Sequence, residues 1–425
     1  MIAWWGGYRN NFMQISHLSL TNFRNYGRLE LDLPSGPTLL YGANAQGKTN
    51  LLEAVYYLAT ARSPHADQDQ ELINWEAGDL DDLAVVGRLV AQLDTRDGRK
   101  QIEMRLIREQ RGSTTSFRRE ALVDRRKVRL MDLLGHLRVV LFLPEDVQIV
   151  TGSPAGRRRY LDVTLCQTDA AYCRALSKYN KLLEQRNALL RRIAEFGHGR
   201  DLLSIYNEKM VQLACQIFTR RAAFLAELGR EAQRLHYEQL TQGQETIRLH
   251  YLPRWQVVPG NGAALAAAAE MAERGSWLAQ RRDDIELIRA EFSRALQAAQ
   301  AQDLARGSSS VGPHRDDWSF EVNGRDLSRY GSRGQQRTAI LSLKLAEIDW
   351  MTAVAGDAPV LLLDEVVAEL DETRRALLLD SVRTVNQALL TATDLNMFTG
   401  SFLQEAAALR VIQGQIQPNA TTVQA

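Results

Sequence analysis

The sequence predicts an α/β fold, in which a sheet carrying a phosphate loop, accompanied by antiparallel strands, is interrupted by an inserted, mainly helical second domain. A GxxxxGKT segment at 42–49 lies between a short apolar run and a helical pattern, the context that a phosphate loop requires. A second apolar run, at 360–363, is followed by two carboxylates. Between these segments, residues from about 155 to 243 carry apolar side chains at three- and four-residue spacing, as amphipathic helices do.

The composition of the chain excludes several classes of protein. The chain has 425 residues, of which 45% are hydrophobic and 24% charged, with a formal net charge of +1. This length suits two or three domains, and the composition excludes a disordered chain or a disulfide scaffold. No apolar run reaches the roughly 18 residues of a membrane span. Cys166, Cys173 and Cys215 form no CxxC pair, which indicates reduced thiols and a cytoplasmic protein.

The first part of the chain alternates between strand patterns and one helix. Alternating apolar and polar residues predict strands at 14–20 and 29–33, and the apolar run 38–41 predicts a strand before the glycine-rich loop. A helix is expected from about 49 to 60, and further antiparallel strands from 83 to 123.

The insertion divides the α/β part into two stretches. After the helical region a long helix is expected from about 283 to 301, and strands return at 318–322 before the hairpin dipeptide Asn323-Gly324. The expected domains are a disordered N-terminal extension at 1–12, a discontinuous head at 13–150 and 305–413, a helical arm at 151–304 and a flexible tail at 414–425.

The GxxxxGKT segment predicts an ATP site. Its glycines let backbone N–H groups surround the phosphates, and the N-terminus of the following helix adds partial positive charge. Lys48 is expected to reach the β- and γ-phosphates, and Thr49 to offer its hydroxyl to Mg²⁺. The expected ATP-binding residues are Gly42, Ala43, Asn44, Ala45, Gln46, Gly47, Lys48, Thr49 and Asn50.

The carboxylates after the apolar run 360–363 complete the expected catalytic centre. A buried parallel strand would deliver Asp364 to the metal, and Glu365 would polarise the attacking water. An apolar run ending in acids is by itself often an ordinary strand end. Beside a phosphate loop, however, it predicts Glu365, Lys48 and Asp364 as catalytic residues, and Thr49 and Asp364 as the ligands of Mg²⁺.

A third segment, Ser332 to Arg337, precedes an amphipathic helical pattern at 338–346. A small hydroxyl residue and a glycine at a helix start form an anion site, although the same pattern is that of an ordinary helix cap. The segment begins 28 residues before the apolar run, which is the layout of the ABC/SMC class of ATPases. In that class the signature segment of one subunit closes on the γ-phosphate held by the other. Ser332, Gly334 and Gln335 are the expected signature residues in trans.

Several segments together resemble the RecF family of bacterial recombination-repair ATPases. The phosphate loop continues through Lys48-Thr49-Asn50 into Leu51 to Ala54. The other matching segments are Phe142 to Asp146, Gly152 to Pro154 with Arg157 to Asp162, Gly312 to Asp317, and Ser332 to Arg337. The resemblance covers roughly Met13 to Phe398. It implies an ABC/SMC-like or Rad50-like ATPase head with a helical arm in place of a long coiled coil.

The resemblance also implies a function. RecF proteins are ATP-dependent dimers that bind DNA, especially duplex next to single-stranded gaps. The implied partners are double-stranded and gapped DNA and the proteins RecR and RecO. Together with RecR and RecO, the protein would load the RecA recombinase onto DNA. The implied processes are DNA replication, the repair of DNA damage and the SOS response. The implied cofactors are ATP and Mg²⁺, and the implied enzyme activity is a weak, DNA-stimulated ATP hydrolysis by a head-to-head homodimer. No membrane partner is implied.

Three positions depart from the family's usual pattern. Glu365 stands where RecF members usually carry a second Asp, as in the wider ABC class, so a competent base with a different turnover is expected. Near 61–66 one basic residue is replaced, which leaves Arg62 as the candidate DNA contact there. The switch region lacks the histidine of the ABC type, and Thr393 or Thr391 is expected to order water instead.

The net charge of +1 does not show that the cations are concentrated in particular segments. From Arg99 to Arg129 the chain has eleven Lys or Arg and four acids, a local net charge of +7, and Arg157-Arg158-Arg159 add a second cluster. Any single charge run is usually a solvated face, but these concentrations favour contacts with the DNA backbone. The candidate DNA-binding residues are Arg62, Arg118, Arg119, Arg125, Arg126, Lys127 and Arg129.

Two alternatives from other classes are weaker. The nucleotide-binding subunit of an ABC transporter typically has roughly a hundred residues between the phosphate loop and the signature, whereas Thr49 and Ser332 are 283 residues apart. Another SMC-like structural ATPase with a long coiled coil would need hundreds of residues of heptads, and the helical insertion is too short for that.

Overall fold

The computed structural model describes residues 13–77, 84–111, 114–256 and 264–418. The expected N-terminal extension therefore lies outside the described residues. The chain divides into two compact units, of which the first contains the residues up to Glu145 and from Glu347 onward, and the second spans Asp146–Ala346.

The first unit begins with strands and one buried helix. Its elements before the insertion are β1 Gln14–Phe23, β2 Tyr26–Asp32, β3 Gly36–Tyr41, α1 Lys48–Thr60, β4 Ala84–Thr95, β5 Gly98–Arg111, β6 Thr114–Val123, β7 Arg126–Val128, α2 Leu130–Leu133 and β8 Val139–Phe142. The helix α1 contacts strands of both sheets of this unit, which is why nearly all of its side chains are buried and no polar stripe is needed.

The second unit is mainly helical. Its elements are α3 Gln148–Thr151, α4 Pro154–Thr168, α5 Ala170–Phe196, α6 Leu202–Leu235, β9 Ile247–Leu252, α7 Ala264–Gln280, α8 Ile285–Arg306, β10 Asp317–Val322, β11 Arg325–Asp326, α9 Leu327–Tyr330 and the start of α10 Arg333–Ala355. A short turn at 197–201 joins α5 and α6, which pack against each other as a helical hairpin.

The chain then returns to the first unit, where α10 ends. The remaining elements are β12 Val360–Leu363, α11 Glu372–Thr384, β13 Gln387–Ala392, α12 Gly400–Glu405, β14 Ala407–Ile412 and β15 Gln415–Pro418. The tail expected to be flexible from 414 onward therefore begins as a strand, because Gln415–Pro418 pair antiparallel with β14. Residues 419–425 lie outside the described part of the chain.

Two six-stranded sheets build the first unit. One is antiparallel with the order β2-β1-β4-β5-β6-β7, and the other has the order β15-β14-β3-β13-β12-β8. In the second sheet β14, β3, β13, β12 and β8 run parallel. The carboxyl ends of parallel strands meet at one edge of a sheet, where ligands bind in open α/β folds. Loops after β3, β12 and β13 therefore converge at this edge.

The limit of the second unit differs from the expected domain limit. Sequence patterns place the return to the head near residue 305, whereas residues up to 346 pack within the helical unit. The reason is strand pairing, because β10 pairs along its whole length with β9, from Asp317 opposite Leu252 to Val322 opposite Ile247. The strand at 318–322 thus completes a small sheet of the second unit.

Candidate nucleotide-binding site

The phosphate loop, residues 42–47, joins the end of β3 to the start of α1. Gly42 has φ +148°, and a Cβ there would lie 2.5 Å from the carbonyl oxygen of Val411. Gly47 has φ +108°, and a Cβ there would lie 2.5 Å from the side chain of Asn25. Both glycines of the motif are therefore required by backbone conformation and close packing as well as by phosphate access.

The side chain of Lys48 is buried against the phosphate loop. Its side chain is 3% exposed, and Nζ donates hydrogen bonds to the carbonyl oxygens of Gly42, at 2.7 Å, and Ala43, at 3.0 Å. The same Nζ lies 3.3 Å from Oε1 of Glu365. The ammonium group is thus positioned over the loop, next to the expected catalytic carboxylate.

Asp364 receives hydrogen bonds from two threonines. Thr49 Oγ1 donates to Asp364 Oδ1 at 3.0 Å, and Thr391 Oγ1 donates to the same oxygen at 2.7 Å. Burial raises the pKa of Asp364, and the two hydroxyl donors oppose this shift. A hydroxyl and a carboxylate oxygen at this distance are the donor types that Mg²⁺ prefers, so Thr49 and Asp364 fit a magnesium ion.

Glu365 differs from its neighbour in exposure and backbone. Its side chain is 39% exposed, and its φ of +52° lies in the left-handed region that non-glycine residues seldom adopt. The Glu365 N–H donates to Thr391 Oγ1 at 2.9 Å, so this hydroxyl supports both acidic residues at once. The arrangement keeps one carboxylate buried for a metal and leaves the other accessible to a reactant.

Thr391 is the residue of the switch region that reaches the site. Thr393, the other predicted switch residue, is exposed two residues further along, beyond the end of β13, and its role stays a prediction. Thr391 lies within β13, beside β12, and the parallel pairing of these strands brings its hydroxyl to Asp364. Strand pairing of this kind is not visible in a single stretch of sequence.

The phosphate loop is supported by two hairpins that sequence reasoning missed. From the β1–β2 turn, Asn25 Nδ2 donates to the carbonyl oxygen of Gln46 at 3.1 Å, and the Tyr26 hydroxyl donates to that of Gly47 at 2.9 Å. From the β14–β15 turn, Gly414 N donates to the carbonyl oxygen of Gln46 at 3.0 Å, and Gln413 N donates to Gln46 Oε1 at 2.8 Å. Gln46 therefore joins the loop to both turns.

Replacing Gly414 with alanine is expected to weaken ATP binding about tenfold. Gly414 has φ +72°, and a Cβ there would lie 2.7 Å from the carbonyl oxygen of Asn25, so the turn must move away from Gln46. Each hydrogen bond broken in this way contributes about 1 kcal/mol. Titration with a fluorescent ATP analogue measures the effect.

The matched control for this variant is Gly98→Ala. Gly98 also has a left-handed φ, +104°, in a hairpin of the same unit, but a Cβ there meets nothing within 4 Å. Both substitutions place a side chain at a positive φ, and only Gly414→Ala disturbs the phosphate loop. Equal ATP affinities for the two variants would show that the β14–β15 turn does not position the loop.

The expected signature residues lie in the second unit, at the start of α10. Ser332 Oγ accepts from Gln335 N at 3.2 Å, and Gln335 Oε1 accepts from Ser332 N at 2.9 Å, which is a reciprocal capping box. Gln335 Nε2 also donates to Oε1 of Glu245 at 2.8 Å. Ser332 and Gly334 are accessible to solvent. The segment is thus a helix cap whose N-terminus stays open to solvent.

The run of cations expected to face DNA does not form one surface. Arg118 and Arg119 are neighbours in β6 and therefore lie on opposite faces of the sheet. Arg118 pairs with Glu109 and Glu120, whereas Arg119 lies 2.5 Å from Asp69. Two further candidates are paired as well, Lys127 with Glu120 at 2.8 Å and Arg129 with Asp132 at 2.7 Å.

The remaining candidates are accessible. Arg62, directly after α1, and Arg125 and Arg126, at the β6–β7 turn, are all exposed. In the described part of the chain these three have no carboxylate partner within 4.0 Å. Positive charge that is free to meet phosphates is thus concentrated in a subset of the predicted residues.

The second arginine cluster has a structural role. Arg157 forms a bidentate pair with Asp317, with Nε–Oδ1 and Nη2–Oδ2 distances of 2.7 and 2.9 Å. Arg158 donates to the carbonyl oxygen of Asp316 at 2.6 Å. The interpretation of this cluster as a DNA-facing surface is therefore weakened, because two of its guanidinium groups hold β10 to α4 inside the second unit.

His314 is likewise a structural residue. Burial lowers its pKa to about 4, so the imidazole is neutral near pH 7. Nε2 lies 3.1 Å from the carbonyl oxygen of Ser309, which only accepts, so Nε2 carries the proton and Nδ1 accepts from the Tyr179 hydroxyl at 2.8 Å. These contacts favour the interpretation of His314 as a brace.

Membrane-spanning helices and clustered metal ligands are both absent from the described residues. Among them, no helix is both long and apolar enough to cross a membrane. The same residues hold no cluster of three or more His, Cys, Asp or Glu suited to a metal ion. A metal ion at the phosphate loop would therefore depend on the Thr49 hydroxyl and on phosphate oxygens as well as on Asp364. Cys166, Cys173 and Cys215 form no disulfide bond among the described residues.

Comparison with known proteins agrees with the geometry. A family model described as the RecF/RecN/SMC N-terminal domain matches residues 14–416. The DNA replication and repair protein RecF of Chloroflexus aggregans is 40% identical over 412 residues, which cover 95% of this chain and 99% of that protein. RecF of Geobacillus thermodenitrificans is 36% identical over 405 residues, with coverages of 95% and 99%.

Solved structures give the same result. The chain is similar to the recombination mediator protein RecF–ATPrS of the RecFOR pathway, with 30% identity, a TM-score of 0.78 and coverages of 97% of this chain and 99% of that chain. The similarity to an ATP-bound RecF is comparable, with 29% identity and a TM-score of 0.79 over 96% of this chain. The resemblance and the ABC/SMC-like fold predicted from the sequence are both confirmed. This chain belongs to the RecF family of DNA replication and repair proteins.

Proposed function

We propose that this chain is an ATP-dependent DNA-binding protein of recombinational repair with a slow, DNA-stimulated ATPase activity. It would dimerise head to head around two ATP molecules, bind double-stranded DNA at single-strand gaps in the cytoplasm, and help RecR and RecO load the RecA recombinase. The observation that supports this most directly is the convergence of Lys48, Thr49, Asp364, Glu365 and Thr391 at one edge of the parallel sheet.

Each of these residues has a distinct role in the proposal. The loop 42–47 and Lys48 bind the phosphates, and Asn50 contributes by holding Asn25 through a 2.8 Å hydrogen bond. Thr49 and Asp364 would hold Mg²⁺, which when bound neutralises charge on the phosphates. Glu365 accepts a proton from the attacking water, and Thr391 positions both carboxylate residues.

The proposed dimer depends on the exposed start of α10. A helix N-terminus binds anions through its free N–H groups and its dipole, and α10 is long enough, at 23 residues, for this effect. Ser332, Gly334 and Gln335 would meet the γ-phosphate held by the partner subunit. Lys48 Nζ lies 3.3 Å from Glu365 Oε1, so a phosphate bound in the loop would compete with this carboxylate for the ammonium group.

Two alternative functions are disfavoured. The 283-residue separation between Thr49 and Ser332 holds strands β4 to β8 and most of the helical unit, whereas an ABC transporter subunit typically has roughly a hundred residues there. A structural SMC-like ATPase needs a long coiled coil, whereas the longest described helix, α6, has 34 residues.

Sedimentation velocity with and without ATP, in the presence of gapped duplex DNA, tests the proposal. We expect a monomer without nucleotide, a dimer with ATP and a larger complex with ATP and gapped DNA. A chain that stays monomeric with ATP at micromolar concentration would contradict the dimer, and equal binding of gapped and single-stranded DNA would contradict the proposed DNA preference.

The exposed cations give a separate prediction for DNA binding. The triple variant Arg62→Glu, Arg125→Glu, Arg126→Glu is expected to lower DNA affinity at least tenfold and to flatten the dependence of log K on log[salt] by about 0.9 for each phosphate that is no longer neutralised. These side chains lack a carboxylate partner among the described residues, so their charge is free to release counterions from DNA. Fluorescence anisotropy at several salt concentrations measures both quantities.

A control with the same change in charge separates a local effect from a general one. Arg28, Arg99 and Arg383 lie in the same unit and already pair with Glu30, Asp94 and Glu405. Replacing these three with glutamate is expected to change the salt slope little. If both triple variants lower the slope equally, the effect is one of net charge, and the DNA surface lies elsewhere.

A further inference from the structure

The helical hairpin of the second unit has a groove that the ATPase cycle does not explain. The groove lies between α5 and α6 and has a cavity volume of about 520 Å³. It lies wholly within the second unit, where both helices are long and continuous. The charge of the groove, the spacing of its cations and its apolar floor together specify one kind of occupant.

The groove is strongly positive. Arg174, Lys178 and Lys181 line it from α5, and Lys209 lines it from α6. No carboxylate lines the groove, and within the described residues none of these four cations has an acidic partner within 4.0 Å. This differs from Arg118 or Arg157, whose charges are neutralised by neighbouring carboxylates. Four unpaired cations around one groove give it a positive potential that attracts an anionic partner.

The three cations of α5 are regularly spaced. Residues 174, 178 and 181 follow one another at i, i+4 and i+7 and so lie on one face of the helix. A rise of 1.5 Å per residue places the first and last about 10 Å apart. A partner helix with carboxylates at the same i, i+4, i+7 spacing presents its negative charges at matching distances.

The floor of the groove is apolar. Ala175, Leu182 and Leu213 line it and are buried or half-buried, whereas the glutamines that line it are exposed and supply neutral hydrogen-bonding groups. Ala175 allows a close approach of a partner backbone, and the leucines offer apolar surface to bury. An occupant must therefore combine apolar side chains with carboxylates, which is the composition of an amphipathic helix.

Nucleic acid fits this groove less well. Single-stranded DNA sites combine basic residues with aromatic side chains on which bases stack, and no aromatic residue lines this groove. A duplex presents a convex, highly charged phosphate surface that would leave an apolar floor uncovered. Charge, spacing and floor thus favour a peptide over DNA.

We propose that the α5–α6 groove is a docking site for an acidic amphipathic helix of a partner protein, which lies between the two helices with its carboxylates on Arg174, Lys178, Lys181 and Lys209. The binding mode is that of a helix in a groove, with apolar anchors on one side of the partner helix and charges beside them. The proposal is independent of ATP hydrolysis and of the DNA surface of the first unit.

A designed probe tests the proposal on the full chain. The probe is a fluorescein-labelled helical peptide of leucine, alanine and glutamate with carboxylates at i, i+4 and i+7 beside a leucine stripe. The control peptide has the same composition in scrambled order. We expect the probe to bind and the scrambled peptide to bind at least tenfold more weakly, as measured by fluorescence anisotropy.

Variants of the groove locate the site. Reversal of three charges, Arg174→Glu, Lys178→Glu and Lys181→Glu, is expected to weaken binding of the probe at least tenfold. The matched control reverses Arg192, Arg200 and Arg230, exposed cations of the same hairpin that do not line the groove, and is expected to change binding less than twofold. If the first variant fails to fold, as judged by circular dichroism, replacement of the same three residues with alanine takes its place.

Four results would overturn the proposal. Three come from the peptides: no binding of the probe, equal binding of probe and scrambled peptide, and equal decreases in affinity for the groove and control variants. Competition with a 30-base single strand and a 30-base-pair duplex separates peptide from nucleic acid. If the groove variant binds DNA more weakly but leaves probe binding unchanged, the surface binds nucleic acid and not a peptide.

Discussion

Replacing Lys48 with alanine is expected to abolish ATP binding, with a loss of affinity of at least a hundredfold. The Nζ atom is buried in the phosphate loop, donates to the carbonyl oxygens of Gly42 and Ala43, and supplies the only cation that touches Glu365 among the described residues. Without it, those carbonyl oxygens face the phosphates with no intervening positive charge, so repulsion replaces attraction. Titration with a fluorescent ATP analogue measures the loss.

The control for this variant is Lys100→Ala. Lys100 lies in β5 of the same unit and pairs with Asp97 at 3.3 Å near the β4–β5 turn, away from the phosphate loop. We expect its ATP affinity and thermal stability to match those of the unmodified chain. An ATP affinity of Lys48→Ala within threefold of the unmodified protein would show that the loop does not bind phosphate in the proposed way.

Replacing Glu365 with glutamine is expected to trap an ATP-bound dimer and to lower ATP turnover at least a hundredfold. Glutamine keeps the size of the side chain but cannot accept a proton from water at neutral pH, so binding is retained while hydrolysis stops. It also removes the negative partner of Lys48, 3.3 Å away, which leaves the ammonium group free for phosphate. ATP affinity is therefore expected to stay equal or increase.

Two measurements check this variant. Phosphate release gives the turnover, and sedimentation velocity with ATP gives the dimer fraction. The control is Glu372→Gln, an exposed acid at the start of α11 that does not contact the phosphate loop. If Glu365→Gln hydrolyses ATP at the normal rate, another group is the base. If it stays monomeric with ATP while binding it tightly, the head-to-head arrangement is wrong.

Much of the site could be predicted because its chemistry is contiguous in sequence. Gly42, Gly47, Lys48 and Thr49 lie in one eight-residue segment whose function depends on local backbone geometry. Asp364 follows a fully buried strand, and parallel neighbours deliver their carboxyl ends to the same edge of a sheet. Strand and helix patterns locate both segments without knowledge of distant contacts.

The remainder depends on contacts between segments far apart in the chain. Thr391 reaches Asp364 only because β13 pairs with β12, and Gly414 reaches Gln46 only because β14 pairs with β3 and then turns. The segment after 414 is polar, so its composition predicts a loose tail. Its strand is stabilised instead by backbone hydrogen bonds to β14, which do not depend on side-chain polarity.

The charges, too, are predicted in part by the sequence and in part decided only by tertiary contacts. A count along the sequence finds a local excess of cations between 99 and 129, and it correctly separates this region from the neutral average of the chain. The pleat of β6 then places Arg118 and Arg119 on opposite faces, and cross-strand pairs such as Arg118 with Glu109 and Lys127 with Glu120 neutralise several of the charges. Only the candidates without a carboxylate partner, Arg62, Arg125 and Arg126, keep their charge available among the described residues.

The sequence by itself determined the α/β class, the helical insertion, the phosphate loop and the acidic strand, because each rests on residues within one element. The tertiary structure alone decided which threonine supports the carboxylates, which hairpins hold the loop, and which cations remain unpaired among the described residues. These depend on pairing and packing between elements, where register and the facing of side chains are set by neighbours that are remote in sequence.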